Sequence, residues 1–336
     1  MPLAAFAISF LLSVLLMPLV IRLAWATGYL DHPHARKLHL DATPLLGGAG
    51  VFMFAMVGWA AVMQVLPHQP ADWEGYYLLA GAGISLLVGL WDDRFGMQPN
   101  VKMLGQASAA AVLIAGGGLP DMGLPIGITG AIAMLLLIAL MNAVNFLDNM
   151  NGMVGGIAAI ALAAFAWTSL ERGANGVATA QLALAGACVG FLPHNFPRAK
   201  LFLGDAGSLL LGYSLGASAL LAMKGAPAGW AQLGPVLMLA YPAFDMIFVV
   251  ISRVREGRPV YEGGKDHTNH RLARVLGCPK RTVVLLWVCT AALCVSGISI
   301  LHLHRALPTL LMLGLWTILL CWSGLRLSSV PSVPRT

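Results

Sequence analysis

Long apolar stretches, each close to the length that crosses a lipid bilayer, recur along the whole chain with short polar breaks between them. A transmembrane α-helix needs about 20 consecutive, mainly apolar residues. Hydrophobic residues make up 58% of the 336 residues and charged residues only 10%, against about 25% in ordinary soluble domains. Water cannot solvate the surface of such a chain, which excludes a soluble globular enzyme, a disordered chain and a disulfide scaffold. The pattern predicts an all-α, polytopic membrane protein.

The apolar stretches predict about eleven membrane-spanning helices in one integral-membrane domain that covers residues 1–336. The first stretch lacks the basic segment and the small-residue cleavage site of a signal peptide, so we interpret it as a span. The predicted spans are 2–25, 46–66, 76–91, 101–117, 126–144, 153–170, 178–194, 207–223, 231–252, 282–302 and 307–326.

Lys and Arg are unevenly distributed between alternate loops. If the N-terminus lies outside, the outer loops carry only Arg172, Lys224 and Arg305, and every other basic residue falls on the inner side. This positive-inside pattern predicts an external N-terminus, a cytoplasmic C-terminus and cytoplasmic polar loops. The net charge of +6 is therefore explained by topology and contact with anionic lipid, not by a nucleic-acid partner. The 253–281 loop carries eight Lys and Arg residues, more than anchoring requires.

Carboxylates occur at the ends of apolar helices, where burial is costly unless the group is paired or functional. Asp92, Asp93, Asp148 and Asp205 come from three regions of the chain, yet all fall at the cytoplasmic ends of predicted spans. Their convergence predicts a cation site with the active site on the cytoplasmic side. In the alternative, each acid pairs with a nearby Arg or caps a helix. For Asp245 the two interpretations are equally good.

Amide side chains follow the same pattern as the acids. Asn142 and Asn145 are three residues apart and therefore share one helix face. Carboxylate and amide oxygens with few nitrogen ligands suit Mg²⁺, or Mn²⁺ in its place, and not zinc. A magnesium site of this kind usually binds a diphosphate. Lys102 begins the next helix and is a candidate for binding the same phosphates, or, in the alternative, it extends to the membrane interface.

Two polar loops supply further candidates. The early loop 31–39 is basic and rich in turn residues, and the Gly47-Gly48 pair that follows does not have the spacing of a P-loop. The segment 265–271 carries His267 and His270 without a nearby Cys or third His, which favours a polar recognition loop over a zinc site.

These motifs together resemble those of the polyprenyl-phosphate N-acetylhexosamine-1-phosphate transferases. The resemblance covers about residues 31–274, which we take as the catalytic core, and leaves the C-terminal helices over about 282–326 outside it. The matching motifs are the first cytoplasmic loop from Asp31 to Gly48, the aspartate-rich Asp92-Asp93, the Asn-rich segment Asn142–Gly152 and Phe202-Leu-Gly-Asp205.

The chain departs from the family pattern at four places. Gly96 stands where the aspartate-rich motif has a third polar residue, Asn149 where the family has Gly, and Asn151 where many members have Asp. The usual His-x-His-His appears as His267-Thr-Asn-His270. With these departures, the chain resembles the initiating sugar transferases of envelope polysaccharides more than the muramoyl-pentapeptide transferase. Among them, it is most similar to the undecaprenyl-phosphate GlcNAc-1-phosphate transferases.

The resemblance implies a Mg²⁺-dependent reaction in the bacterial inner membrane. An oxygen of undecaprenyl phosphate attacks the β-phosphorus of a UDP-N-acetylhexosamine, UMP leaves, and a sugar-diphospholipid forms. Asp205 and, by resemblance, Asn145 are the expected metal ligands, and Asn151 is expected near the uridine. Asp92 and Asp93 are expected to position or deprotonate the lipid phosphate, with Lys102 and Asp148 also catalytic. The expected substrate-binding residues are Lys37, Asn142, Asn151, Arg258, His267, Asn269, His270 and Arg271.

Two rival functions remain open. A cation-coupled transporter also needs buried acids, but it carries them near the bilayer midplane, whereas these cluster at one boundary. A phospho-N-acetylmuramoyl-pentapeptide transferase shares the core motifs. A homodimer is a further expectation.

Overall fold

The computed structural model describes residues 1–31, 42–65, 73–259, 264, 266–303 and 305–331. These residues form α-helices and one two-residue antiparallel strand pair, in which Leu30 of β1 (Leu30–Asp31) lies opposite Pro44 of β2 (Thr43–Pro44). The helices are α1 (Pro2–Thr27), α2 (Gly47–Met63), α3 (Trp73–Phe95), α4 (Pro99–Ala115), α5 (Ile126–Leu147), α6 (Met153–Glu171), α7 (Asn175–Asn195), α8 (Gly204–Lys224), α9 (Leu233–Met238), α10 (Ala240–Arg255), α11 (Thr268–Leu276), α12 (Pro279–Leu303) and α13 (Ala306–Ser328).

The all-α polytopic class is confirmed, but the described residues contain fewer helices of full spanning length than the eleven predicted. Within the described residues, 8 helices are long and apolar enough to cross a membrane, or up to 9 if one bent pair counts as a span. Both α2 and α4 have 17 residues, a length of about 26 Å, which is short for a span.

The predicted span 231–252 is broken. A short 3-10 helix at Trp230–Gln232 runs into α9, and the segment Trp230–Met238 meets α10 at a bend of 69°. Pro242 lies in the first turn of α10, where its missing N–H leaves no intrahelical bond unmade. Because a proline is tolerated in the first turn of a helix but not in its interior, Pro242 favours the start of a new helix over a continuous span.

The helix α8 forms the core of the bundle, because its most apolar 18-residue stretch is entirely buried. Small residues allow other helices to approach it closely, since a Cβ at Gly212 would lie 2.7 Å from the Met141 Cα of α5. The helix α13 lies at the periphery, where only 6% of its most apolar 18-residue stretch is buried. The buried helix α8 thus carries the Phe202–Asp205 motif into the middle of the molecule.

The polar motifs gather at one end of the bundle because α3 and α8 run antiparallel. Asp93 at the end of α3 contacts Asp205 at the start of α8, whereas Glu74 and Lys224 pair at the opposite ends of the same helices at 2.6 Å. At the polar end, Arg94 also donates to the carbonyl of Gly28, which follows α1, at 2.8 Å. Met1 therefore lies at the opposite end from the polar motifs.

Candidate active site

Three oxygen atoms from three helices surround the ammonium group of Lys102. Its Nζ lies 2.6 Å from Asp205 Oδ2, 2.7 Å from Asp92 Oδ2 and 3.4 Å from Asn145 Oδ1. The Asn145 amide in turn donates to Asp205 Oδ1 at 2.8 Å and to the Ser208 hydroxyl at 2.9 Å. Residues of α3, α4, α5 and α8 therefore meet at one point, with a lysine at its centre.

Asp93 caps the helix that carries Asp205. Its Oδ1 accepts the backbone N–H of Asp205 at 2.9 Å, and its Oδ2 accepts that of Ala206 at 3.0 Å. The first N–H groups of a helix have no intrahelical partner, and a carboxylate also complements the helix dipole there. The capping interpretation thus holds for Asp93, and nothing in this geometry assigns it to the lipid phosphate.

The glycine pair after the early loop fixes the segment before Asp205. The N–H groups of Gly47 and Gly48 donate to the carbonyls of Phe202 and Leu203, each at 2.9 Å. A Cβ at Gly47 would lie 2.4 Å from the Phe202 oxygen, and one at Gly48 would lie 2.3 Å from the nitrogen of Gly207. Only glycine permits such a close approach of the two backbones, so the glycine pair fixes the position of the segment that leads to Asp205.

Gly204 joins that segment to the cap. It has a φ of +75°, and a Cβ there would lie 2.6 Å from Asp93 Oδ2. We expect Gly204→Ala to displace the Asp93 carboxylate and to lower turnover at least tenfold, measured as kcat of the purified protein. Gly173→Ala is the matched control, because Gly173 has a φ of +71° and a Cβ added there would meet nothing within 4 Å. Equal losses in both variants would attribute the effect to backbone strain alone.

The two asparagines on one face of α5 have different partners. Asn142 Nδ2 donates to Gln106 Oε1 at 2.9 Å and to the Ile138 carbonyl at 2.8 Å. Asn142 thus links α4 to α5, and its substrate-binding role stays a prediction. Sequence reasoning missed Gln106, although its position one helical turn after Lys102 places it on the same face.

Asp148 ends α5 with a half-buried carboxyl group that accepts no hydrogen bond from the described residues. Burial, together with the charges of Asp205 and Asp93, raises the pKa of Asp148 to about 8. A carboxyl group in this position is open to a cation or a substrate.

The segment after Asp148 connects the cluster to the last polar loop. Asn149 Oδ1 accepts from Asn269 Nδ2 at 2.7 Å, and Asn269 is fully buried. Asn269 Oδ1 also accepts the His270 N–H at 2.6 Å. The Asn269 amide thus connects two protein segments, and its contact with the sugar stays a prediction. Asn151 Nδ2 donates to the Pro197 carbonyl at 3.3 Å, and its expected place near the uridine stays a prediction.

A buried ion pair holds the last polar loop against α10. Arg253 donates to both carboxylate oxygens of Asp266 at 2.8 and 2.9 Å, and Arg258 adds a contact at 3.2 Å. Although desolvation by burial raises it, the hydrogen bonds and charge of Arg253 lower the pKa of Asp266 to about 2. The bidentate geometry fixes the point where the loop returns to the helices.

Asp245 of α10 binds the beginning of α11. Its Oδ2 lies 2.7 Å from His267 Nδ1, and its Oδ1 accepts the N–H of Thr268 at 2.8 Å and the Thr268 hydroxyl. The His267 ring stands edge-on to Phe146, the residue after Asn145, with ring centroids 6.5 Å apart. The loop histidine is thus brought beside the end of α5.

Arg271 does not face the cluster. Its Nη1 donates to the carbonyls of Leu327 and Ser328 at 3.2 Å and to that of Val330 at 2.7 Å. The last carbonyls of a helix lack intrahelical donors, and a guanidinium satisfies several of them at once. Arg271 thus caps α13, and its substrate-binding role stays a prediction. Lys37 lies outside the described residues.

Two of the three remaining loop candidates are partly exposed. Arg258 uses one Nη to bind Glu256 at 2.6 Å and the other to bind Asp266, while its side chain stays partly exposed. His270 is half-buried. His267, by contrast, is buried. Arg258, His267 and His270 remain the predicted contacts to the substrate on this loop.

The donor set fits a hard cation in its chemistry. Among the residues the structure describes, no group of three or more His, Cys, Asp and Glu side chains is arranged to hold a metal ion. The oxygens of Asp92, Asp205 and Asn145 instead converge on the ammonium of Lys102. Oxygen atoms already grouped around a positive charge suit Mg²⁺, provided that Lys102 moves aside.

Comparisons with known proteins agree with the motifs. The profile of Glycosyl transferase family 4 matches residues 76–223. The decaprenyl-phosphate N-acetylglucosaminephosphotransferase of Mycolicibacterium smegmatis is 32% identical over 79% of this chain and 74% of its own length. The probable undecaprenyl-phosphate N-acetylglucosaminyl 1-phosphate transferase of Bacillus subtilis is 28% identical over 84% of this chain and 80% of its own.

A similar match comes from a third bacterium. The undecaprenyl-phosphate alpha-N-acetylglucosaminyl 1-phosphate transferase of Escherichia coli O157:H7 is 25% identical over 88% of this chain and 83% of its own length. Because such similarity extends over most of both chains, the resemblance seen in the motifs is confirmed: the protein belongs to glycosyl transferase family 4, as a multi-pass member of the polyprenyl-phosphate N-acetylhexosamine-1-phosphate transferases.

Proposed function

We propose that the protein transfers GlcNAc-1-phosphate from UDP-GlcNAc to undecaprenyl phosphate, releases UMP, and thereby initiates an envelope polysaccharide. The observation that carries the proposal is the group of Asp92, Asp205 and Asn145 oxygens around Lys102 at one end of a membrane bundle. The names of the relatives support the same polyprenyl phosphate acceptor and the same sugar phosphate.

The chemistry explains why charged groups are needed here. The reaction exchanges one phosphoanhydride for another, so it has little driving force, and catalysis consists of positioning and charge stabilisation. Mg²⁺ held by Asp205 and Asn145 would neutralise the negative charge of the diphosphate oxygens. Asp148, whose carboxyl has no partner among the described residues, is available on the same side of the cluster.

The protein's own residues divide the remaining work. Lys102 binds a phosphate once its ammonium group leaves the carboxylates. Until then, Asp92 binds the ammonium group at 2.7 Å. Asp93 fixes the backbone of Asp205 and so keeps its carboxylate in place. A dedicated base is of minor importance, since a phosphate monoester with a second pKa of about 6 is already ionised at neutral pH.

The positive-inside pattern and the shared end of the helices together support a cytoplasmic site. Arg94 and Gly28 put the end of α1 at the polar end, so a cytoplasmic site requires an external N-terminus. UDP-sugars are then supplied from the cytoplasm and the lipid phosphate from the inner leaflet. We propose this orientation in the bacterial inner membrane.

A UMP-release assay on the purified protein tests the proposal. With undecaprenyl phosphate, we expect Mg²⁺- or Mn²⁺-dependent UMP release from UDP-GlcNAc or a close relative, and none from the muramoyl-pentapeptide nucleotide. Full turnover after exhaustive EDTA treatment would overturn the metal requirement. Turnover of the muramoyl nucleotide would favour the lipid I reaction, and absence of UMP release from every UDP-sugar would favour the transporter.

A further inference from the structure

Asp245 is an acid that neither the family motifs nor the proposed reaction uses. It lies on α10 and is 1% exposed, and it contacts His267 and Thr268, which are 3% and 2% exposed. An ionised carboxylate in such a place is costly unless donors surround it. Asp245 has three: one ring nitrogen, one backbone N–H and one hydroxyl.

The three donors fix the carboxylate in one orientation. Thr268 supplies both donors to Oδ1, and these hold the first turn of α11. Oδ2 is left for the histidine, with 2.7 Å between Oδ2 and His267 Nδ1. The two oxygens thus have separable tasks, one toward the helix and one toward the imidazole.

The contact to Oδ2 determines which imidazole nitrogen carries the proton. A carboxylate oxygen can only accept, so Nδ1 must be the protonated nitrogen. Nε2 of neutral His267 is then a hydrogen-bond acceptor, and it has no partner among the described residues. The ring packs against Phe146, directly after Asn145, and its centroid lies 6.4 Å from that of His270.

We propose that Asp245 is a positioning residue that fixes His267 in the Nδ1–H tautomer, so that Nε2 accepts a hydrogen bond from a hydroxyl or N–H group of the sugar nucleotide. The identity of that ligand rests on the proposed function. The tautomer of the histidine does not, because it is a property of the protein alone. Asp245 itself does not touch the substrate.

Asp245→Asn separates the two tasks of the carboxylate. The amide oxygen still accepts from Thr268, so the cap on α11 remains. The amide nitrogen replaces Oδ2 and donates to His267 Nδ1, which transfers the imidazole proton to Nε2 and turns an acceptor into a donor. We expect at least a tenfold rise in KM for the UDP-sugar, with KM for undecaprenyl phosphate unchanged. Asp245→Glu, which keeps two acceptor oxygens, is expected to recover part of the loss.

A double variant and a matched control distinguish positioning from helix capping. If Asp245 acts through His267, then Asp245→Asn combined with His267→Gln raises KM no further than His267→Gln alone. Thr268→Val removes the hydroxyl donor to the same carboxylate and leaves the histidine contact, so it is expected to leave KM unchanged. Additive effects in the double variant, or a Thr268→Val effect as large as that of Asp245→Asn, would reduce Asp245 to a helix cap.

The tautomer is also measurable without any activity. In ¹⁵N-histidine-labelled wild-type protein in detergent, the resonance that disappears in His267→Gln is expected to report protonated Nδ1 and unprotonated Nε2. Protonation at Nε2, alone or at both nitrogens, would overturn the proposal even if Asp245→Asn failed to fold. Absence of UMP release with the expected tautomer would instead refute the proposed function and leave the Asp245–His267 contact in place.

Discussion

Asp205→Asn is expected to lower kcat at least a hundredfold while leaving the fold intact. The change is isosteric. The contact that holds this part of α8 is donated by the backbone N–H of Asp205, so it does not depend on the side chain at this position. The variant removes the charge that faces Lys102 at 2.6 Å, and its single amide oxygen can accept from Lys102 or from Asn145 but not from both. UMP release under saturating substrates gives kcat, and the melting temperature in detergent reports the fold.

The control for Asp205 is an ion pair of the same type at the other end of the same two helices. Glu74 contacts Lys224 at 2.6 Å, so Glu74→Gln also neutralises a carboxylate beside a lysine, and it is expected to leave kcat unchanged. Mn²⁺ binding followed by electron paramagnetic resonance supplies a readout apart from turnover. Asp205 is not a primary ligand if the Asn variant keeps more than about a tenth of wild-type kcat, roughly 1.4 kcal/mol, or binds Mn²⁺ as tightly as the wild type.

The convergence of the acids was predictable, but the pairing within it was not. Hydropathy gives the spans, and the alternation of spans places Asp92, Asp148 and Asp205 on one side of the membrane. Which of them contact each other depends on how α3, α5 and α8 pack, and the small residues that decide this packing carry no register in the sequence. The placement of Lys102 between Asp92 and Asp205 is a result of that packing.

Helix caps explain why two of the acids were ambiguous in the sequence. A capping residue is normally recognised because it immediately precedes its helix. Asp93 caps α8 from 112 residues away, and Asp245 caps α11 from 23 residues away. No local pattern distinguishes such an acid from a metal ligand, so both alternatives had to stay open until the helices were placed.

The departures from the family pattern also acquire a physical meaning only in three dimensions. Asn149 and Asn269 each look like an isolated loss, yet they lie 120 residues apart in sequence and hydrogen-bond each other at 2.7 Å. Gly96 ends α3 with a φ of +70° and its N–H on the Asp92 carbonyl, a backbone conformation that favours glycine. The contact of Arg271 with the end of α13 could not be predicted, because a basic residue in a polar loop gives no sign that it caps a distant helix.

Lys102→Met is expected to lower kcat/KM for the UDP-sugar at least a hundredfold, because it removes the positive charge on which Asp92 and Asp205 converge and leaves their carboxylates facing each other. A lysine that only extended to the membrane interface would tolerate methionine, but the Lys102 side chain is 15% exposed and bound by two acids. Lys200→Met, at an exposed position in the segment leading to α8, is the matched control and should leave kcat/KM unchanged. Initial rates of UMP release over a range of UDP-sugar concentrations measure both variants. If Lys102→Met stays within threefold of the wild type, the ammonium takes no part in phosphate binding and the carboxylates alone form the site.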